Sequence, residues 1–331
     1  MASDHRHQIK KNMDSTEPTQ AVLHTNQLTK RFGDTLAVDN LSLEIVQGEV
    51  FGFLGPNGAG KTTSIGMICG LLKADSGEVW IHQQKIDSRD RTLRTRIGFC
   101  PQQIVLWGML TCLEQLEFIG TMYGVPGAVA RQRGNELLAL IGLEAKRNKL
   151  AKTLSGGMQR RLNLIMALVH NPEIVVLDEP EAGLDPQSRV LVREYLQSLA
   201  GKKTIILTTH NMDEADRVAD RVAIIDHGRL LKLDTPAQLK RSIGEGDVLE
   251  IEVFPREGIA LETVLETIKP LASQVSLSNH ILIIRARWAA ELLPSIMERL
   301  KTAGFQTGEI RLRENSLEDV FITLTGRRLR E

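Results

Sequence analysis

The stretch Gly55-Pro-Asn-Gly-Ala-Gly-Lys-Thr62 decides the fold of this chain. It has the spacing of a phosphate-binding loop, in which glycines let successive backbone N–H groups turn towards a phosphate at a helix N-terminus. The pattern predicts that Lys61 reaches the β- and γ-phosphates of a nucleotide. It also predicts that Thr62 offers a hydroxyl ligand to Mg²⁺, which bridges those phosphates.

The residues around this loop predict the structure that a phosphate-binding loop requires. Residues 50–54 form an apolar run typical of a buried strand, and residues 61–72 have helical periodicity. From residue 28 to about 234, short β-branched runs alternate with longer helical segments. This alternation predicts an α/β fold with a mostly parallel sheet covered by helices.

A pair of carboxylates follows another apolar run. Residues 174–177 read as a buried strand, and Asp178 and Glu179 come directly after it. Ligands in parallel sheets bind at the carboxyl ends of the strands, so both side chains are expected near the phosphate loop. There Asp178 would hold the Mg²⁺ shell, and Glu179 would orient and deprotonate the attacking water.

A second glycine-containing segment, Leu154-Ser-Gly-Gly-Met-Gln159, precedes a predicted amphipathic helix at residues 160–169. Backbone N–H groups at such a helix N-terminus can bind an anion. The same pattern also fits an ordinary capped helix. From the residues alone, both interpretations remain open.

Taken together, these motifs resemble the nucleotide-binding subunits of ATP-binding cassette transporters over residues 28 to about 234. The resemblance implies a P-loop ATPase core with a helical insertion at about residues 103–160, with ATP and Mg²⁺ as ligands. It implies ATP contacts from the following residues: Phe32, Gly55, Pro56, Asn57, Gly58, Ala59, Gly60, Lys61, Thr62, Thr63, Ser155, Gly156, Gly157, Gln159 and Asp185.

The resemblance also implies the roles of the catalytic and metal-binding residues. Glu179, Gln102 and His210 would act in hydrolysis, with His210 contacting the γ-phosphate. Thr62, Gln102 and Asp178 would lie around the metal. Each ATP would be bound between two chains, because in this family the segment at residues 154–159 of one subunit closes on the phosphate loop of another.

The chain departs from the family pattern at two positions. Phe32 stands where a tyrosine usually stacks on the adenine. Glu181 stands where a small Thr or Ser is frequent, in the loop that carries Asp185 towards the second subunit. The second departure puts the hydrogen bonding of that loop in doubt.

The ends of the chain differ from this core. Residues 1–22 are predicted to be a disordered tail, residues 23–240 the ATP-binding domain, and residues 247–331 a small α+β accessory domain. In the accessory domain we expect Pro294 to lie in the first turn of its helix, where proline is tolerated. Ser316 and Asp319 form a predicted capping box.

The last segment, residues 316–326, resembles the ending of daunorubicin-type and related drug, polysaccharide or lipid exporters. This resemblance implies separate membrane-spanning permease subunits as partners, with a second ATPase subunit that is a copy or a relative. The insertion would dock on the permease through apolar residues Val105, Leu106, Trp107 and Met109. The expected location is therefore the cytoplasmic face of the inner membrane.

Composition limits the other function classes. Lys and Arg together number 41, and so do Asp and Glu. This overall charge balance gives no reason to expect binding to nucleic acid. Three cysteines without metal-ligand spacing fit a reducing compartment. The apolar runs are far shorter than the roughly 20 residues of a membrane span. A cassette ATPase acting on ribosomes or DNA, and a nucleotide-binding regulator, are the alternatives.

Overall fold

The computed structural model describes residues 21–86, 95–243, 247–272, 274–286 and 289–326. The predicted tail before residue 21 lies outside these residues. The described chain forms two compact units. The first contains the residues up to Phe53, Asn57–Thr209 and His227–Leu230, and the second contains Leu54–Pro56, His210–Asp226 and the residues from Leu231 onwards. Of the helices in the described ranges, none has both the length and the apolar character that a bilayer span requires.

The predicted alternation of strands and helices is clearest over residues 174–226, whereas three strands follow one another over residues 21–54. The strands are β1 Ala21–Phe32, β2 Thr35–Val46, β3 Val50–Leu54, β4 Ser76–Ile81, β5 Gln84–Lys85, β6 Ile97–Cys100, β7 Ile174–Asp178, β8 Thr204–Thr209, β9 Arg221–Asp226, β10 Arg229–Asp234, β11 Asp247–Pro255, β12 Gln274–Ser278, β13 Ile281–Ala286 and β14 Phe305–Glu314. The helices are α1 Lys61–Ile68, α2 Cys112–Met122, α3 Gly127–Leu140, α4 Gly156–Met166, α5 Pro186–Leu199, α6 Met212–Val218, α7 Pro236–Arg241, α8 Thr263–Ile268, α9 Ala289–Thr302 and α10 Leu317–Thr325.

Strands β3, β8, β7 and β6 are neighbours, in that order, in the predicted parallel sheet. The ladders between β6 and β7 and between β7 and β8 are parallel. Each residue of β3, β7 and β8 is buried, which is typical of a parallel sheet covered on both faces. Since parallel strands end at one edge, this sheet places the end of β7 beside the end of β8, where Asp178 pairs with Thr208.

A second sheet in the first unit differs from the predicted architecture. Strands β2, β1, β4 and β5 form an antiparallel sheet in that order. Strand β1 begins at Ala21, so Ala21 and Val22 lie in this sheet rather than in the predicted tail. The reason is burial, because Val22 and Leu23 are enclosed in the core.

The predicted helical insertion contains helices α2 and α3, followed by two short 3₁₀ turns and α4. Helix α2 begins with a capping box, in which Thr111 and Glu114 each accept a hydrogen bond from the other's backbone N–H. Such a cap satisfies N–H groups that the helix itself leaves unpaired. Helical structure therefore appears where the strand pattern of the sequence stops.

The accessory segment forms an antiparallel sheet with the order β12, β13, β11 and β14. Its core includes Ile251, Leu282, Ile296 and Leu300 from the sheet and from helix α9. Pro294 is the sixth residue of α9, so its predicted place in the first turn is wrong. A proline there cannot donate to the carbonyl of the residue four positions earlier. Burial of the apolar face of α9 offsets this loss.

The last helix, α10, packs on elements that the sequence assigns to the ATP-binding domain. Within the second unit, Leu317, Val320 and Phe321 share one buried cluster with Val222, Leu239 and Leu54. Leu54 is the residue directly before the phosphate loop. The domain limits at residues 240 and 247 stay a prediction, and the contacts of α10 cross them.

The predicted capping box at the start of α10 is confirmed, and its Asp319 is the buried member of a partly exposed ion network. The Asp319 carboxylate accepts hydrogen bonds from the backbone and hydroxyl of Ser316 and from the guanidinium groups of Arg313 and Arg285. Burial alone would raise the pKa of Asp319. The hydrogen bonds from Arg313 and Ser316 overcome that effect and hold the pKa well below its usual value.

Replacing Asp319 by Asn is expected to lower the free energy of unfolding by about 2 kcal/mol at neutral pH, because Arg313 and Arg285 lose a charged partner. The contribution is present in full above the ordinary aspartate pKa of about 3.9, and it is lost gradually as the pH falls from there through the depressed folded-state pKa. The difference in free energy of unfolding between parent and variant, measured in urea at pH 7 and at pH 2, tests both effects. A variant that matches the parent at pH 7 would contradict the network's role.

Candidate functional site

The phosphate loop leads into helix α1 as the sequence predicts. Gly58 and Gly60 have φ angles of 81° and 98°, a left-handed conformation that favours glycine. A Cβ atom on Gly60 would lie 2.3 Å from the carbonyl oxygen of Ala37 in β2, so a side chain does not fit there. Gly60 is the N-cap of α1, which has Lys61, Thr62 and Thr63 in its first turn. Of the other loop residues, Asn57, Gly58 and Ala59 lie in the first unit, and Gly55 and Pro56 lie in the second.

The predicted metal ligands Thr62 and Asp178 are joined by a hydrogen bond. The Thr62 hydroxyl donates to Oδ2 of Asp178 over 3.0 Å, and the Thr208 hydroxyl donates to Oδ1 of the same carboxylate. The side chain of Asp178 is therefore fixed from two directions while it faces the start of α1. A hydroxyl and a carboxylate are oxygen ligands of the kind that Mg²⁺ prefers.

Glu179 adopts an uncommon backbone conformation with φ 48°. Outside glycine, this left-handed region costs roughly 1–2 kcal/mol and occurs mainly where surrounding contacts enforce it. The backbone N–H of Glu179 donates to the Thr208 hydroxyl over 3.0 Å. The side chain of Glu179 is buried, with 8% of its surface exposed.

The carboxylate of Glu179 meets two other predicted site residues. Its Oε2 accepts a hydrogen bond from the Gln102 side-chain amide over 3.0 Å, and its Oε1 lies 3.9 Å from the Lys61 ammonium. Together with the pair of Thr62 and Asp178, these contacts make one connected group. The structure therefore brings together five predicted residues from three segments that are far apart in the chain.

Lys61 is a buried cation in this group. Burial lowers the pKa of Lys61 from its ordinary value, while the nearby charges of Glu179 and Asp178 oppose that effect. A further anion beside Lys61, such as a phosphate, would favour its charged form. The ammonium is thus placed to gain from binding an anion.

Arg160, in helix α4, is a buried residue for which no sequence motif predicts a role. It is 3% exposed, and its guanidinium donates to five backbone carbonyls, those of Pro101, Gln102, Asp178, Glu179 and Pro180. It therefore contacts the backbone of both Gln102 and Glu179. Its position three residues before Asn163 and four before Leu164, both buried, could have marked it as a charged residue on the inner face of α4.

The glycine-containing segment at residues 154–159 forms the N-terminus of helix α4. Ser155 is its N-cap and accepts from the Met158 backbone N–H, and the Gln159 amide donates to the carbonyls of Ala151 and Leu154. Ser155 and Gly156 are exposed. The segment is therefore a capped helix start with exposed residues, and either interpretation from the sequence is compatible with it.

Asp185 lies close to this helix start. It caps helix α5 by accepting from the backbone and hydroxyl of Ser188, and these hydrogen bonds lower its pKa. A Cβ atom on Gly157 would lie 3.2 Å from Oδ2 of Asp185. The first turns of α4 and α5 are thus close neighbours, and they form a second cluster of predicted residues.

The structure explains the departure at Glu181. Its buried carboxylate accepts hydrogen bonds from Nε and Nη2 of Arg193 in helix α5, over 3.2 and 2.9 Å. This two-point ion pair ties the loop before Asp185 to α5. The local hydrogen bonding that the sequence left in doubt is therefore supplied by Arg193.

The remaining predicted residues lie at element ends. Phe32 ends strand β1, is 51% exposed and has the Lys30 ammonium 5.5 Å from its ring centre. An exposed aromatic side chain at this place is available for stacking. His210 follows strand β8 and is exposed, and it belongs to the second unit.

Comparisons with known proteins add the family context. Residues 38–182 match a protein-family model described as ABC transporter. The Nod factor export ATP-binding protein I of Ralstonia nicotianae is 39% identical over 94% of this chain and 95% of its own length. The daunorubicin/doxorubicin resistance ATP-binding protein of Streptomyces peucetius is 36% identical over 94% of each chain.

Among solved structures, a dimeric ATP-binding cassette in a post-hydrolysis state with ADP and phosphate is similar to this chain. It is 30% identical, with a TM-score of 0.60, and the match covers 64% of this chain and 98% of the other. The covered share corresponds in size to the predicted ATP-binding domain rather than to the whole chain. The likeness thus concerns the ATP-binding cassette.

Proposed function

This chain belongs to the ABC transporter family, and from that premise we propose that it hydrolyses ATP to drive export through a separate membrane permease. The observation that carries the proposal is the connected group of Lys61, Thr62, Gln102, Asp178 and Glu179 beside the glycine loop. The names of the two relatives, an export protein and a drug-resistance protein, support export. They do not favour the alternatives on ribosomes or DNA.

The loop and its helix hold the triphosphate of ATP. Backbone N–H groups at the start of α1 and the Lys61 ammonium bind phosphate oxygens, with loop contacts from Gly55 through Thr63. Phe32 stacks on the adenine. Mg²⁺, held by Thr62, Gln102 and Asp178, would neutralise charge that develops on the phosphates. The paired Thr62 and Asp178 oxygens fit that ion, because they are hard ligands fixed beside the loop.

Hydrolysis depends on Glu179 as the general base. Its carboxylate is oriented by the left-handed backbone turn and by Gln102, and it lies beside the cation that binds the phosphates. From there it accepts a proton from the attacking water. Gln102 positions the water and His210 contacts the γ-phosphate.

A second subunit completes each site. The exposed Ser155 and Gly156, with Gly157, Gln159 and Asp185, form a surface of helix starts that binds the γ-phosphate held by the partner's phosphate loop. ATP then joins two chains, and hydrolysis removes the shared ligand and lets them separate. The dimeric state of the similar cassette supports this arrangement.

The permease docks on the segment between β6 and helix α2. Val105 and Met109 are 53% and 72% exposed, and Trp107 packs edge-on against Phe118 with a centroid distance of 5.1 Å. Leu106, which the sequence groups with them, is partly buried and contributes less. Exposed apolar side chains that lie together favour a protein partner. Through this contact the chain is placed at the cytoplasmic face of the inner membrane.

Replacing both Val105 and Met109 by Asp is expected to lower recovery of the complex with the permease at least about tenfold, because an interface would bury unpaired charges. The measurement is co-purification with a polytopic membrane protein encoded in a neighbouring reading frame. The matched control is Leu140→Asp, since Leu140 is an equally exposed apolar residue at the end of α3. Unchanged recovery of the double variant would contradict this docking surface.

A further inference from the structure

The strongest feature outside these roles is the buried Arg160. We propose that Arg160 is a positioning residue that locks Glu179 and Gln102 in their hydrolytic arrangement, an inference that rests on the proposed function of Glu179 as base. The guanidinium contacts the backbone of residues 101–102 on one side and of residues 178–180 on the other. It thus joins two segments that are 76 or more residues apart in the chain.

The chemistry of arginine suits this task. Its planar guanidinium has five N–H donors in a fixed geometry, and each backbone carbonyl can accept one or two hydrogen bonds. The partners of Arg160 are carbonyl dipoles rather than a single carboxylate. Burial of a charged group is costly unless such partners surround it. Burial of Arg160 therefore costs free energy, and its contacts go to two segments of the site. Both facts fit a positioning role better than simple packing.

The conformation of Glu179 provides the second argument. A non-glycine residue in the left-handed region requires contacts that hold it there. The carbonyl of Glu179 accepts from Arg160 Nη2, while its N–H donates to the Thr208 hydroxyl. Arg160 and Thr208 therefore hold the peptide groups on both sides of this residue. If the carbonyl contact is lost, the turn can relax and carry the carboxylate away from Gln102.

Asn163, one turn further along α4, adds an independent contact with the same segment. Its side-chain oxygen accepts from the backbone N–H of Val105 over 3.1 Å, and its amide lies 3.2 Å from the Cys100 sulfur. Helix α4 thus holds the segment of Gln102 at both ends. Since Ser155 caps α4, the surface offered to a second subunit and the base Glu179 are connected through one helix.

Two substitutions at Arg160 test this role in the full chain. Arg160→Lys keeps the charge but offers a single ammonium, which cannot span both segments, and Arg160→Gln keeps one amide donor without charge. We expect kcat for ATP hydrolysis to fall by about 30-fold in Arg160→Lys, because a misplacement of about 1 Å can cost about 10²-fold. KM for ATP should stay within about threefold, since the phosphate contacts of Lys61 are untouched.

The matched control is Arg161→Lys. Arg161 is the neighbouring buried arginine in α4, and it donates to the carbonyl of Ile141 at the end of α3, away from Glu179. We expect Arg161→Lys to lose a comparable amount of thermal stability but less than about threefold in kcat. The inference is overturned if Arg160→Lys and Arg161→Lys lower kcat equally. It is also overturned if Arg160→Lys and Arg160→Gln both change KM and leave kcat unchanged. Should Arg160→Lys fail to fold, Arg160→Gln with its kcat and KM decides the outcome.

A double-mutant cycle with Glu179→Gln separates this inference from the proposed function. If Arg160 acts through Glu179, adding Arg160→Lys to Glu179→Gln should leave the residual single-turnover rate unchanged within about twofold, because coupled residues are not additive. An additional 30-fold loss would overturn the positioning role while leaving Glu179 as base. If Glu179→Gln itself keeps the parent rate, the proposed function fails, and that result is visible before Arg160 is changed.

Discussion

Replacing Glu179 by Gln is expected to lower kcat for ATP hydrolysis by about 10³-fold, since a general base contributes typically 10² to 10⁴-fold. The amide has nearly the shape of the carboxylate, so the backbone turn and the contact with Gln102 can persist. It cannot accept a proton from water at neutral pH. ATP binding should change by less than about threefold, because the phosphate contacts lie on the glycine loop and Lys61.

Steady-state hydrolysis and nucleotide titration of the purified full chain measure the two effects. With ATP present, the variant should also elute as a stable dimer in size-exclusion chromatography, because the ligand that joins two chains is not consumed. Glu181→Gln is the matched control, since Glu181 is a buried glutamate two residues further along whose partner is Arg193. Hydrolysis by Glu179→Gln at the rate of the control would show that Glu179 is not the base.

Replacing Lys61 by Ala is expected to weaken ATP binding by about 10³-fold. Truncation of one partner in a buried charged pair costs about 2–5 kcal/mol, and about 4 kcal/mol corresponds to this factor. Lys61 is the buried cation of the connected group, and burial lowers its pKa. Loss of this ammonium therefore leaves the phosphate oxygens without their charged partner.

Titration with a fluorescent ATP analogue gives the affinity, and thermal unfolding with and without ATP gives an independent readout, because a bound ligand stabilises the folded state. Lys73→Ala is the control, as Lys73 is exposed and lies beyond the end of α1. Parent-like affinity in Lys61→Ala would exclude Lys61 as a phosphate ligand.

Much of the cassette follows from the sequence because its motifs report local geometry. The glycine spacing of residues 55–62 specifies a turn before a helix, and an apolar run that ends in Asp178 and Glu179 specifies a strand end. The structure confirms β3, α1 and β7 at these places. The family resemblance and the exporter branch are likewise confirmed by the relatives.

Other features depend on contacts between distant residues, which the sequence does not display. Strand β1 pairs with β2 and β4 in an antiparallel sheet, and the partner of a strand is not visible in its own residue pattern. Pro294 lies inside α9 because burial of that helix outweighs its intrinsic preference. Arg160 donates to backbone carbonyls. Every residue has such a carbonyl, so no sequence motif reveals these partners. The ion network of Asp319 joins residues 313–319 to Arg285, which lies in a different strand.

The packing of helix α10 has a consequence for the order in which the chain acquires its structure during translation. Leu54, directly before the phosphate loop, shares a buried cluster with Val320 and Phe321. The ribosome synthesises those residues more than 260 positions later. Until they emerge, Leu54, Val222 and Leu239 lack these partners of the buried cluster, and incompletely packed apolar surface favours aggregation and degradation. The cluster beside the phosphate loop is thus completed only after α10 has been synthesised and packs against it.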